Sequence, residues 1–218
     1  MKGIFITFEG PDGAGKTTQL QKLAQEITAL GYDVVVTREP GGTSISDRIR
    51  SIILSPENKE MTDQAEVLLY AASRAQHVHE LILPAIEAGK VVLCDRFIDA
   101  SVAYQAYGLG VDREMVTSIN RYASSGLQAE RTYLLDVPVE VSQHRLRQRA
   151  AGTQTELQLD RIEQKGFEYH SRVRDGFHQI AAEEPQRVKV IDANRTEAEI
   201  AEDILIDCKR LLEVHLSG

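Results

Sequence analysis

Cysteine is scarce in this chain, with two thiols, Cys94 and Cys208, in 218 residues. They are too few and too far apart for a disulfide framework or a metal-ligand cluster, so free thiols in a reducing compartment are expected. Basic charge is also in deficit: 25 Lys and Arg stand against 33 Asp and Glu, a net charge of −8. Proteins that hold long nucleic acids draw most of their affinity from neutralising phosphates, so this balance disfavours a nucleic-acid polymer as partner. Long apolar runs are missing as well, none approaching the ~18 residues that cross a bilayer. The apolar N-terminus is interrupted by Glu9 and a glycine-rich stretch before a signal-peptide core could form. Together these absences predict a cytoplasmic protein with no membrane partner.

What remains is a globular composition, 42% apolar and 27% charged, which supports a packed core. The length suits one domain, 1–218, rather than two. Short β-branched runs recur at Ile4–Phe8, Val34–Thr37, Val91–Cys94, Tyr133–Val137 and Val188–Ile191. They are near-continuous rather than alternating, as strands buried on both faces are. Helix-like patterns lie between them, at about Gly15–Leu30, Thr62–Ala88, Asp112–Ser124, Pro138–Ala150, Leu157–Ala182 and Thr196–Leu216. The alternation predicts an α/β fold, a five-stranded parallel sheet with helices on both faces.

Gly10-Pro11-Asp12-Gly13-Ala14-Gly15-Lys16-Thr17 matches G-x-x-x-x-G-K-[ST] directly after the first strand and at the opening of a helix. Glycines let backbone N–H groups curl around phosphate oxygens, and the helix N-terminus adds its dipole. Lys16 would reach the β- and γ-phosphates and the Thr17 hydroxyl would ligate Mg²⁺. This predicts a P-loop NTPase fold with a nucleotide-phosphate site, a motif that by itself does not separate a kinase from a GTPase switch or an ATP-driven machine. A GTPase switch is disfavoured, because Asn58-Lys59 is followed by Glu60-Met61 and lacks the guanine-reading carboxylate. In open parallel sheets ligands sit beyond the carboxyl ends of the strands. Arg38 and Glu39 follow the second strand there, and Asp95 and Arg96 the third.

The blocks Phe8–Thr18, Thr37-Arg38-Glu39-Pro40-Gly41-Gly42-Thr43, Leu69-Tyr70-Ala71-Ala72-Ser73-Arg74 and Asp95-Arg96-Phe97 with Tyr104-Gln105 resemble bacterial thymidylate kinase, in order and spacing. The resemblance implies transfer of the ATP γ-phosphoryl group to dTMP, with Mg²⁺, by a homodimer. It implies ATP contacts from Gly10 to Thr18 and from Arg145. It further implies that Arg50 and Arg96 hold the acceptor phosphate and Asp12 the sugar 3′-hydroxyl. Ser101 and Gln105 would contact the thymine, Tyr104 would crowd the place of a 2′-hydroxyl, and Glu39 and Pro40 would line the dTMP site. Tyr70 and Arg74, at i and i+4, share one helix face, so a ring can stack on a pyrimidine while a guanidinium reaches its edge. Tyr70 stands where the family usually has Phe, and Ala100 where it has a serine.

By the same resemblance a lid, about 147–163, closes over ATP, with Arg145 stacking on adenine and Arg149 approaching the transferring phosphoryl group. The stretch Ala150–Asp160 holds no basic residue, which leaves open which of Arg145, Arg147 and Arg149 acts. Lys16, Arg96, Arg149 and Asp95 form the expected catalytic set. Asp95 either orients Mg²⁺ through water or holds Arg96 by a salt bridge. A phosphate monoester has its second pKa near ~6, so no general base is required. His77 and His79, two apart, point to different helix faces and carry no assigned role.

Overall fold

The computed structural model describes residues 3–151 and 160–216, the side chains of 149–151 and 216 excepted. Its centre is β1 (Ile4–Glu9), whose six residues are all buried. Alternate side chains leave a strand on opposite faces. Ile4, Ile6 and Phe8 therefore pack with Leu20, Leu23, Ile27 and Ile204 on one side. Phe5 packs with Val78, Ile82, Val92, Cys94 and Phe97 on the other. The remaining strands are β2 (Val34–Arg38), β3 (Val91–Asp95), β4 (Arg131–Asp136) and β5 (Val188–Asp192). Every pairing is parallel, in the order β2-β3-β1-β4-β5. The carboxyl ends of β1, β2 and β3 thus lie side by side, with Arg38 opposite Asp95 and Asp95 opposite Phe8. Both cysteines are free and buried.

The helices are α1 (Lys16–Ala29), α2 (Ser44–Leu54), α3 (Asp63–His77), α4 (Leu83–Glu87), α5 (Ile98–Ser101), α6 (Arg113–Ala123), α7 (Val139–Ala151), α8 (Phe167–Glu183) and α9 (Glu197–Leu216). Thr62 caps α3 by accepting from the Ala65 N–H at 3.3 Å, and Asp112 caps α6 by accepting from Met115 at 2.8 Å. Such caps satisfy N–H groups that the first turn leaves without partners.

Two helix boundaries differ from the sequence expectation, and two helical segments go beyond it. The stretch Thr62–Ala88 is not one regular helix: α3 widens into a π-turn at Val78–Ile82 before α4. Pro84 cannot donate to Glu80, and its ring crowds that carbonyl, which accounts for the widening. Of the pattern Leu157–Ala182, residues 157–159 lie outside the described residues, 160–166 are not helical, and α8 begins at Phe167. Asp160 Oδ1 accepts the N–H groups of Ile162 and Glu163, both at 2.8 Å, and this turn competes with helix. Two helical segments had no sequence signal. In α2, Ile45, Ile49, Ile52 and Ile53 favour strand locally. The segment from α5 through the wide turns Val102–Gly108 is buried nearly all round, so it has no polar face to reveal a period.

Phe8 is fully buried with its ring 5.4 Å from that of Tyr133. Phe8→Ala should cost about 3–5 kcal/mol of unfolding free energy, whereas Val214→Ala on the exposed face of α9 should cost under about 0.5. Urea denaturation of the two variants measures the contrast, and equal losses would contradict this placement of the core.

Candidate active site

The loop between β1 and α1 closes tightly beneath the sheet's carboxyl edge. Gly10 has φ 132°, and a Cβ there would sit 2.3 Å from the Leu135 carbonyl oxygen, so no side chain fits. Lys16 is buried and donates from Nζ to the Gly10 and Pro11 carbonyls at 3.0 and 2.8 Å. Burial and the nearby Arg96 charge hold its pKa down to about 8. Thr17 and Thr18 are exposed on the first turn of α1. The Thr17 hydroxyl donates to Asp95 Oδ2 at 2.5 Å. Helix α7 clamps the loop from outside. Arg145 donates to the Gly13 and Ala193 carbonyls at 3.3 and 3.2 Å, and Ser142 donates to the Asp12 carbonyl at 2.6 Å. Ser142 carried no signal in the sequence, since a lone serine in a helix pattern has no fixed partner. The side chain of Arg149 and residues 152–159 of the expected lid lie outside the described residues.

Arg96 ties this loop to the acceptor side. Its backbone has φ 71°, a left-handed conformation unusual for a residue with a Cβ. The turn is held from three sides: the Arg96 N–H donates to the Phe8 carbonyl at 2.9 Å, Cys94 Sγ to the Arg96 carbonyl at 3.0 Å, and the Phe97 N–H to Glu9 Oε1 at 2.7 Å. The guanidinium then donates to the Gly10 carbonyl at 2.9 Å, Asp12 Oδ1 at 2.7 Å and the Tyr104 hydroxyl at 3.1 Å. Tyr104 in turn donates to Asp12 Oδ2 at 3.0 Å. Burial alone would raise the Asp12 carboxyl, but the Arg96 and Lys16 charges outweigh it and hold it well below the usual range. Arg96 therefore pairs with Asp12, while Asp95 faces Thr17.

The ten residues that the resemblance assigns to the acceptor all line one cavity: Asp12, Glu39, Pro40, Arg50, Tyr70, Arg74, Arg96, Ser101, Tyr104 and Gln105. Leu54, Phe97, Ala100, Asp160 and Ile162 complete the wall without having been foreseen. Arg50 donates to the Pro40 carbonyl at 2.8 Å. Burial and the neighbouring Arg38 charge lower its pKa, as expected where cations gather to receive an anion. Arg74 is buried, and its guanidinium faces Glu39, Ser101, Asn120 and the Phe97 carbonyl. Tyr70 is half-buried, and desolvation raises its pKa so that it stays a phenol. Gln105 donates from Nε2 to Glu66 Oε1 at 3.2 Å, and its buried carbonyl oxygen has no partner among the described residues. The Glu39–Pro40 peptide bond is cis.

A strand–glycine loop–helix unit at the carboxyl edge of a parallel sheet, with lysine and threonine at its mouth, defines a P-loop NTPase. Comparison with known proteins narrows that class. The family model described as thymidylate kinase matches residues 8–204. A thymidylate kinase from Exiguobacterium sibiricum is 55% identical, over 96% of this chain and 98% of its own. One from Pelotomaculum thermopropionicum is 47% identical over 100% and 98%. The crystal structure of thymidylate kinase from Ehrlichia chaffeensis aligns with a TM-score of 0.75 at 31% identity, covering 95% of this chain and 99% of that one. The chain belongs to the thymidylate kinase family, and it is a kinase.

Glu9 supports this site from beneath. It is fully buried, one carboxyl oxygen takes the Phe97 N–H, and the other has no partner among the described residues. Burial and the Asp99 charge push its pKa up from 4.5 to about 8. The folded chain thus keeps a proton that the unfolded chain releases, so Glu9 contributes stability below about pH 4.5 that is lost as pH rises to about 8. Glu9→Gln should accordingly gain stability relative to the parent between those limits, and the difference should level off above them. A difference independent of pH in urea titrations would count against a neutral Glu9.

Proposed function

We propose that this chain carries out its family's reaction, transfer of the γ-phosphoryl group of ATP to dTMP, giving dTDP and ADP, in deoxythymidine nucleotide biosynthesis. A phosphate oxygen of dTMP attacks the γ-phosphorus, a new P–O bond forms, and the bond to the departing ADP oxygen breaks. The acceptor oxygen is already largely ionised at pH 7, its second pKa being near ~6, so the chain need supply no base. Its task is to bring two polyanions together, by positioning and charge neutralisation.

The observation that carries this reading is one cavity joined to the phosphate loop by the Arg96 guanidinium, which touches Gly10 and Asp12 on one side and Tyr104 on the other. Arg50 and Arg96 hold the acceptor phosphate. Asp12 takes the 3′-hydroxyl, and Tyr104, pinned by Asp12 and Arg96, crowds the 2′ position. Tyr70 stacks on the base while Arg74 and Ser101 form its edge. The unpartnered Gln105 carbonyl suits the thymine N3–H, a donor in search of an acceptor. Lys16 neutralises the transferring group together with a lid arginine, Arg149, and Arg145 lies against the adenine. The lid spans about 147–163 of a single domain, 1–218.

Thr17 and Asp95 fit Mg²⁺: two hard-oxygen groups stand 2.5 Å apart at the loop mouth. Among the described residues no cluster of three or more His, Cys, Asp or Glu forms a cage, and Mg²⁺ bound to nucleotide takes phosphate and water oxygens instead. Thr17 and Asp95 would hold the ion, which would supply positive charge against the nucleotide phosphates. A cytoplasmic location agrees with the finding that no helix among the described residues is long and apolar enough to cross a membrane.

The test is an ADP-release assay with dTMP, dUMP, dCMP, GMP and AMP as acceptors. dTMP should give the highest kcat/KM, and turnover with dTMP no higher than without acceptor would overturn the reading. The homodimer rests on an apolar groove between α3 and α6, flanked by Leu68 and Tyr122, which are 57% and 89% exposed. Sedimentation should show a dimer that Leu68→Asp with Tyr122→Asp dissociates, and a monomeric parent at micromolar concentration would remove the proposal.

A further inference from the structure

We propose that His77 is a positioning residue for acceptor recognition, acting through Glu39 on Arg74; this rests on the reading of the cavity as the dTMP site. His77 ends α3, one turn after Arg74, and the two share a helix face. Its ring is completely buried. Glu39, from the loop after β2, inserts between the two side chains. Its Oε1 lies 3.0 Å from His77 Nδ1, and its Oε2 lies 2.7 Å from Arg74 Nε and from a terminal guanidinium nitrogen. On the far side, His77 Nε2 is 2.7 Å from the Thr37 hydroxyl.

The hydrogens can be assigned along this chain. Glu39 already accepts from Arg74, so its other oxygen accepts an N–H from Nδ1. Nε2 and the Thr37 hydroxyl share the outer hydrogen bond, at 2.7 Å. The contacts Thr37–His77, His77–Glu39 and Glu39–Arg74 thus form one continuous hydrogen-bonded series. Without the imidazole, Glu39 would be fixed through a single oxygen and free to turn about its terminal torsion. Arg74 would loosen with it. Arg74 also donates to Ser101 Oγ at 3.0 Å and to the Phe97 carbonyl at 2.9 Å, and both residues belong to the cavity wall. The loop itself is wound onto the same ring, since a Cβ on Gly42 would come within 2.6 Å of Nε2. Pro40, in that loop, receives Arg50. One imidazole therefore sets the edge of the base site and the approach of a phosphate-binding arginine.

A histidine that merely filled the core would affect stability alone, and steady-state kinetics beside thermal melts on four variants separates the two roles. His77→Asn places an amide nitrogen near the position of Nδ1, His77→Gln near that of Nε2, His77→Leu keeps neither, and Thr37→Val removes only the outer bond. His77→Gln and His77→Leu should raise KM for dTMP about tenfold while KM for ATP moves less than about twofold, the loss of one hydrogen bond to a charged group. His77→Asn and Thr37→Val should stay within about threefold of the parent for dTMP, since the bond to Glu39 survives. If His77→Leu fails to fold, the contrast between Asn and Gln decides. Equal effects of Asn and Gln, an unchanged KM for dTMP in both Gln and Leu, or parallel rises for ATP and dTMP would overturn the inference. A parent that turns over dTMP with indifferent His77 variants removes this inference alone; a parent that does not turn over dTMP removes the reading of the cavity as well.

Discussion

The arrangement depends on one guanidinium. Arg96 sits at the end of β3 in a left-handed conformation, and from there it reaches the phosphate loop at Gly10 and Asp12 and the acceptor wall at Tyr104. An unfavoured backbone conformation persists only where its surroundings over-determine it. Here Phe8, Cys94 and Glu9 each hold the turn, so part of the stability of the buried sheet goes into aiming this arginine. Donor and acceptor phosphates would meet at the group so aimed.

The site is a set of balanced charges with a few left uncommitted. Arg74 is answered by Glu39 and Arg96 by Asp12, whereas Arg50 makes its hydrogen bond to a neutral carbonyl. Buried ion pairs contribute little net stability, because desolvation offsets most of their attraction, yet removing one partner is costly. Their value here is directional: each carboxylate fixes an arginine that a ligand can use. This is how a chain with net charge −8 can hold two phosphate-bearing substrates. A few local cations suffice for small anions, and an acidic surface excludes only the long polyanions that need many contacts at once.

Much of the fold was legible because its signals are local. The β-branched runs stand out as strands, although only β1, β3 and β4 are buried on both faces, while the edge strands β2 and β5 expose Val36 and Val190. Gly10–Thr17 announces itself by spacing that backbone N–H groups require around phosphate. The acceptor residues were legible only through resemblance, since an arginine such as Arg74 reads, by itself, as a solvated helix residue. Ser142, Glu9 and His77 were not legible. Their chemistry comes from partners 130, 88 and 38 positions away, Asp12, Phe97 and Glu39, and no local pattern marks them.

The sequence alone determined the class of protein: a parallel α/β sheet, a phosphate loop after the first strand, and by likeness the acceptor and its chemistry. Tertiary structure decided which charges pair. Arg96 could have joined Asp95, its neighbour in the chain, but the left-handed turn sends the guanidinium across to Asp12 and leaves Asp95 to Thr17. His77 could have been an inert core residue, but the loop after β2 brings Glu39 against it. Pairings of this kind depend on where distant segments meet and on which side chains lose their water there. Neither is a property of any short stretch of chain.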